Sequence, residues 1–551
     1  MSQNTNGRMR EEGYWRSLQE LADTDDFRRQ LADEFPEGVE PSVGSVSRRR
    51  FLQIMSASVA MTSMVGCRWP EETVVPFAKR AEGTVPGEPA SFATTLEIGP
   101  VASAVVATSY DGRPIKIDGN PDFPGSLGAA GTFAQAAVLD LYDPDRSRSV
   151  VHTDETGATE SDWDAFVAFA RSHYRSTGWD KVAVLTEATT SPSVHGRLKS
   201  VADKGGRIYA WEPVCRRNEM LGAKLAFGTP ARIQLDLTRA EVIVDFDANL
   251  LQDHPTALRN SRDFAAKRDP ESGHMNRLYS FEPSFSVTGG MADHRFPTAA
   301  GEIGAAVWAL AAELVLGEGL ALPAGSGIDQ GGLAKWRHHA AGTDHVAALA
   351  HDLMTHRGHG LLLAGTRQPP EVHALVAVLN AALGNVDHAI AYLPFDRPEM
   401  GTLKDLVDDL NAGRIESLVI AGGNPVYTAP ADLDFAGALA KAGTSVHLGH
   451  RVDATSALCT WHIPRAHALE SWGDATAWDG THLSVQPLIE PLFGGKTLAE
   501  LLSAVTSRKP RTGHRLTRET YYALTGGTGR MPKVDKGFEK RWRRLIHDGF
   551  A

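Results

Sequence analysis

Leu418-Val419-Ile420-Ala421-Gly422-Gly423-Asn424-Pro425 sets four aliphatic residues against a glycine pair and a proline. So short and unbroken an apolar run predicts a strand buried on both faces, followed by a tight turn into a helix. Five more short, largely apolar runs read as buried strands: Val182 to Leu185, Val242 to Phe246, Leu278 to Phe281, Leu361 to Ala364 and Val446 to Leu448. Between them, Trp163 to His173, Ile303 to Leu316, Val372 to Leu383 and Leu433 to Ala442 place apolar residues at helical spacing. Strand, loop and helix in alternation predict an α/β protein with doubly wound parallel sheets. The expected division is a first lobe over 151–325 and a second over 326–505, joined through the Gly-, Ala- and Pro-rich stretch Gly317 to Gly332.

Upstream the rhythm differs. Ala93 to Asp118 alternates apolar and polar residues, broken at Asp111-Gly112 and at Gly119-Asn120-Pro121, which predicts a small β-rich leading domain over 69–150. A helix is expected near Phe133 to Asp140.

Ser47-Arg48-Arg49-Arg50-Phe51-Leu52, followed by the mild apolar run Ile54 to Val65, has the form of a twin-arginine export signal over 46–68, with Arg48, Arg49, Phe51 and Leu52 its key residues. The run would cross only about half of a bilayer's ~30 Å hydrocarbon core, so it addresses the protein to a membrane without spanning it. That route carries folded proteins across the cytoplasmic membrane, which implies contact with the twin-arginine translocase and residence at the outer, periplasmic face. The signal follows an extension, 1–45, in which Tyr14 to Phe35 reads as two short amphipathic helices whose stripes need a partner surface. Cleavage would discard them, so retention is expected. Met64-Val65-Gly66-Cys67 is close to a lipoprotein processing box, and lipidation of Cys67 is the alternative.

The net charge of −11 over 551 residues argues against nucleic-acid binding. From Arg508 to Arg544 there are twelve Lys or Arg against three acids, a surplus of nine that leaves the rest of the chain at about −20. This basic tail, 506–551, with Phe538 and Trp542, is either a docking element for an acidic partner or anionic lipid, or a solvated terminal helix. The three cysteines, Cys67, Cys215 and Cys459, are too few for a four-thiolate iron–sulfur cluster or a four-cysteine zinc site.

Ligands bind where strands of such sheets end. Gly422 to Pro425 is such a place, but without a spaced GxGxxG it is a weak dinucleotide signal. Gly494-Gly495-Lys496-Thr497 fails as a phosphate loop because Glu490 stands where its first glycine belongs. Glu282-Pro283-Ser284 through Thr288-Gly289-Gly290-Met291-Ala292-Asp293-His294-Arg295 packs turn formers, hydroxyls and charges behind a strand.

That last segment resembles the pterin-contacting loop of molybdopterin oxidoreductases. Asp111 to Pro121 resembles their early hairpin and Leu141 to Arg146 the run after it. Gly422 to Pro425, Pro464, Glu470, Gly473 and Asp479 to Thr481 resemble their later ligand-facing segments. Tyr14 to Leu18, Gly66 to Pro70, Trp461 to Pro464 and Leu469 to Asp474 are similar to one branch, the twin-arginine-signalled molybdopterin-oxidoreductase-like subunit of alternative complex III, a quinol-oxidising membrane complex.

Departures from the active members set the functional expectation. The stretch Leu127 to Phe133 lacks the cysteine of cluster-bearing relatives, and the chain stops before the β-barrel domain that covers a pterin in the family. What the resemblance implies is a cofactor-free, non-catalytic scaffold with no catalytic residue. It would work beside an iron–sulfur ferredoxin-like subunit, a multihaem cytochrome and quinone-binding membrane subunits. The alternative is an active molybdopterin-dependent oxidoreductase, with Cys215 as metal ligand and Ser284, Ser286, Thr288, Asp293 and Asn424 holding the cofactor.

Overall fold

The structure, a computed structural model, describes residues 87–551 apart from 274, 338–342, 395–399, 530 and 533–534, together with Asp25 and Val85. The chain divides into units 1–82 and 83–551, and the architecture here is that of the second. The two helices expected between Tyr14 and Phe35, the export segment with Arg48, Arg49, Phe51 and Leu52, and Cys67 lie outside the described residues.

β1 (Ala90–Ile98), β2 (Val101–Tyr110) and β3 (Arg113–Gly119) form an antiparallel sheet. Asp111 and Gly112 close the second hairpin with φ of 47° and 81°, the left-handed pair that a two-residue turn needs. Leu96, Val105 and Ile117 of this sheet pack on Ala134, Ala137 and Leu141 of the helix Thr132–Leu141.

The chain then lays down the hairpin β4 (Val150–Asp154) and β5 (Gly157–Ser161), followed by β6 (Val182–Thr186) and β7 (Arg207–Ala210). β8 (Ala231–Leu235), β9 (Val242–Phe246), β10 (Arg277–Glu282), β11 (His294–Pro297), β12 (Gly360–Ala364) and β13 (Ile390–Pro394) come next. It ends with β14 (Ser417–Ala421), β15 (Thr444–Gly449), β16 (Trp461–Pro464) and the hairpin β17 (Gly473–Thr476) and β18 (His482–Val485).

Two sheets organise this unit. One has seven strands in the order β5-β4-β16-β15-β14-β6-β7, and its five strands from β16 to β7 are parallel. The other is wholly parallel, in the order β11-β10-β9-β12. β6, β9, β12 and β14 are buried along their whole length, which is why they read as runs dominated by apolar residues, with Asp245 of β9 the one charge among them. Each Leu, Ile, Val or Phe so buried contributes about 1.5–3 kcal/mol.

All six aliphatic runs are parallel strands, but the division into consecutive lobes at 325 does not hold. β6 and β7 share a sheet with β14 to β16, so the four-stranded sheet is inserted between two halves of the seven-stranded one. Nor does Gly317 to Gly332 join lobes. Leu314, Leu320 and Leu333, within and around it, bury in one core with β9, β12 and the helices Ile303–Ala312 and Pro370–Ala382. The segment Ala300–Gly317 has the length and hydropathy to cross a membrane, yet it buries Ile303, Val307, Leu310 and Leu314 in that core.

The helix expected over Leu433 to Ala442 spans only Phe435–Leu439, because Asp434 sits at φ 43° and its side chain caps the helix through the Gly437 amide. The basic tail is folded into the unit as the helices Gly513–Leu524 and Lys536–Asp548. Phe538 and Trp542, at 1% and 5% exposure, are buried against Tyr521 and Trp472, so neither ring is available for docking.

Candidate functional site

A cleft of about 680 Å³ opens at the carboxyl ends of the seven-stranded sheet. β6 leads into Glu187, β14 into the Gly422-Gly423 turn, β15 into His450 and β16 into Arg465. Opposite stand the end of β1 at Glu97 and Ile98, Phe133 and Leu139 of the helix Thr132–Leu141, and Asp474 of β17. A smaller cavity of about 200 Å³ shares Thr186, Glu187 and Glu212 with the cleft and adds Trp211, Gly422, Gly423 and Asn424. Its size and its place at strand ends make the cleft the molecule's candidate binding site.

Its charges decide what it can hold. Glu187 lies over the glycine turn and accepts a bond of 2.6 Å from Arg465. Gly422 makes this possible: at φ 88° a Cβ there would lie 2.2 Å from a Glu187 carboxylate oxygen. Burial and the neighbouring Glu187 raise the Glu212 carboxyl above its usual value. Burial also raises Glu97, although Thr189 and Thr190 donate hydroxyl bonds of 3.1 and 2.8 Å to it. Asp474 accepts bonds of 2.5 Å from both Ser191 and Ser193.

The cations of the cleft are engaged. Arg146, 5% exposed, forms two parallel bonds of 2.9 and 2.7 Å to Glu470. Burial pushes the Glu470 carboxyl up, but Arg146 and the Leu492 and His467 amides outweigh it and hold it below its usual value. Arg451 is bound to Asp143 at 2.9 Å. Burial, then Arg465 and His467, keep the His450 imidazole far below its usual value, so it adds no charge near neutral pH. An anionic ligand meets a lining that holds the acids Glu97, Asp140, Glu187, Glu212 and Asp474, and arginines already paired.

The ends of the four-stranded sheet close on themselves. Asp245, fully buried at the end of β9, accepts amide bonds of 3.1, 3.3 and 3.2 Å from Ala248, Asn249 and Leu250, while burial lifts its pKa to about 7. Ser286 caps the short helix Val287–Gly290 through the Gly289 amide and donates to Glu282, which also holds Arg295 at 2.5 Å. Thr288 donates to Asn249 at 2.9 Å, and Asp293 accepts two bonds of 2.8 and 2.7 Å from Arg268. Ser284 is exposed. None of these four residues lines either cavity.

Asn424 does line the smaller cavity, but its side-chain oxygen accepts from the Thr455 hydroxyl and amide at 2.8 and 3.2 Å. Cys215 is exposed and lines neither cavity, although Glu212 and Pro213 of the same loop line the smaller one. Cys459 is buried, and burial pushes its thiol up to about 12. No cluster of three or more His, Cys, Asp or Glu able to hold a metal occurs among the described residues. The sequence reading missed Glu97, Glu187 and Arg465; the signal for Glu187 was a charge placed directly after an aliphatic strand, whereas Arg465 follows the mixed run Trp461-His462-Ile463-Pro464 and carried no such mark.

No model of a known protein family matches the sequence. The menaquinone reductase molybdopterin-binding-like subunit of Nitratidesulfovibrio vulgaris (strain Hildenborough) is 23% identical over 510 residues, covering 84% of this chain and 72% of that protein. In sequence this chain is thus similar to a protein named as molybdopterin-binding-like. The structure of acetylene hydratase from Pelobacter acetylenicus agrees in fold, with a TM-score of 0.63 at 12% identity over 75% of this chain and 69% of that one. The acidic cleft at the ends of β6, β14, β15 and β16 lies where open parallel sheets bind ligands.

Proposed function

We propose that this chain is a molybdopterin-oxidoreductase-like scaffold subunit, without a redox centre of its own, in a respiratory quinone-linked membrane complex of the alternative complex III type. The name of its relative from Nitratidesulfovibrio vulgaris, a menaquinone reductase subunit called molybdopterin-binding-like, supports the quinone link. The observation that carries the cofactor-free reading is the Glu187–Arg465 pair lying over the Gly422 turn, with Glu97 and Glu212 close by. A pterin dinucleotide carries a pyrophosphate, which needs amide donors and free cations. Here the turn faces a carboxylate, and Cys215, the thiol considered as a metal ligand, is outside the cavities. The residues present do not fit the group.

In this reading electrons pass through an iron–sulfur ferredoxin-like partner, a multihaem cytochrome and quinone-binding membrane subunits. Export by the twin-arginine route places the chain on the periplasmic face of the cytoplasmic membrane. Metal analysis and oxidised-pterin fluorescence of the protein purified with its partners test the reading. Molybdenum, tungsten and pterin are expected far below one per chain; one equivalent of metal with pterin would establish the working oxidoreductase instead.

A further inference from the structure

The terminal helix Lys536–Asp548 is divided by face. Phe538, Trp542 and Leu545, spaced i, i+4, i+7, are buried. On the opposite side Lys536, Lys540, Arg543 and His547, spaced i, i+4, i+7, i+11, run in an exposed row, with Arg544 at its margin and Arg541 exposed farther round the helix. Two of the three acids of this helix and its cap are spent away from the row: Asp535 caps the helix through the Phe538 amide at 3.0 Å and Glu539 pairs with Arg518; Asp548 sits at the end of the row, on Arg544 at 3.2 Å and His547 at 2.8 Å. Lys536, Lys540, Arg541 and Arg543 have no ion pair among the described residues.

We propose that this face docks on an anionic lipid bilayer. The unpaired cations of the row, Lys536 to Arg543, extend about 10 Å at 1.5 Å per residue, on the convex back of a helix, and so offer charge to a plane and no hollow to a shaped ligand. Protein interfaces are built around apolar anchors, Trp, Tyr or Leu, within a polar rim. Among the described residues, no large hydrophobic side chain from 535 to 548 is exposed. The charge balance argues the same way. The surplus of nine positive charges between Arg508 and Arg544 stands against about −20 elsewhere, so an anionic plane repels the body of the chain and attracts this end. Since Trp542 is buried, adhesion is electrostatic and carries the salt dependence of surface charge. The inference is independent of whether the cleft holds a cofactor.

Flotation of the purified full chain with vesicles of phosphatidylcholine alone, or mixed with phosphatidylglycerol, tests it. Binding is expected only to the anionic vesicles, falling steeply between about 0.01 M and about 0.15 M salt as the screening length shrinks from about 30 to about 8 Å. Because Arg48 to Arg50 add charge elsewhere, the deciding variant is Lys540→Gln with Arg543→Gln. It should bind about 25-fold more weakly, roughly fivefold per charge. Lys199→Gln with Lys404→Gln, which removes exposed lysines paired to Asp203 and Asp408, should bind as the parent does. A matching thermal melt for each variant excludes misfolding. Equal binding to neutral vesicles, no binding to anionic ones, or undiminished binding by the Lys540/Arg543 variant overturns the proposal. Salt-sensitive self-association abolished by that variant would give the face to a second copy and overturns it as well.

Discussion

After β14 the chain turns through Gly422 and Gly423 and lines a cleft; after β9 it turns through Asp247 and Asn249, at φ 58° and 47°, and its loop amides fold back onto Asp245. The topological position is equivalent, but the polar groups are spent differently. At the seven-stranded sheet, carboxylates and arginines of the cleft pair with each other or with groups behind its wall. At the four-stranded sheet, Asp245 and Ser286 satisfy the backbone of their own loops and Thr288 that of the neighbouring loop at Leu251. A fold-level rule places ligands at strand ends; which end keeps room for one depends on whether the loop supplies its own acceptors.

Four substitutions test this contrast, taken from the largest effect to the smallest. Arg146→Met leaves Glu470, with a fully buried side chain, without its cation, and should cost about 3–5 kcal/mol in urea unfolding. A loss below about 1 kcal/mol would mean that the pair does not hold the cleft wall.

Asp245→Asn replaces one of two accepting oxygens by a donor and strands an amide, for about 1–3 kcal/mol. It also changes the pH profile. Asp245 keeps its proton in the fold up to about pH 7 and loses it near pH 4 when unfolded, so its contribution falls as pH climbs through that interval. His373 and His462, whose burial lowers them to about 4, contribute in the opposite sense, gaining as pH climbs towards about 6.5. The difference between parent and D245N stability across pH 4 to 7 isolates the aspartate; a flat difference curve would show that Asp245 is already ionised in the fold.

Ser286→Ala removes the cap of Val287–Gly290 and should cost about 1 kcal/mol, seen as a small shift of the denaturant midpoint. Smallest in stability, under about 1 kcal/mol, is Glu187→Gln, because that pair is about one-third exposed. Its effect lies in binding: Arg465 loses its carboxylate, and calorimetry should detect pyrophosphate binding that the parent lacks. If parent and variant bind pyrophosphate alike, the acidic lining does not control the cleft.

Much of the scaffold was legible. Strands such as Leu361 to Ala364 announce themselves because burial on both faces leaves no polar residue in the run. Their neighbours were not, because an apolar run carries no record of which strand it pairs with; so β6 and β14 were assigned to separate lobes although they lie side by side. Glu187 and Arg465 look like ordinary loop charges until the fold brings together residues 278 positions apart. Trp542 is different in kind. Its helical spacing with Phe538 and Leu545 was present in the sequence, and weighing that stripe above the surrounding charge would have shown it buried.

The inserted topology also orders events during synthesis. When the ribosome has made residues up to Pro394, β9 to β12 are complete, whereas β6 still lacks its neighbour β14. Until β14 emerges, the open edge of β6 is a template for a strand from another molecule, so the nascent protein needs shelter, from a chaperone or from speed, at that stage above all.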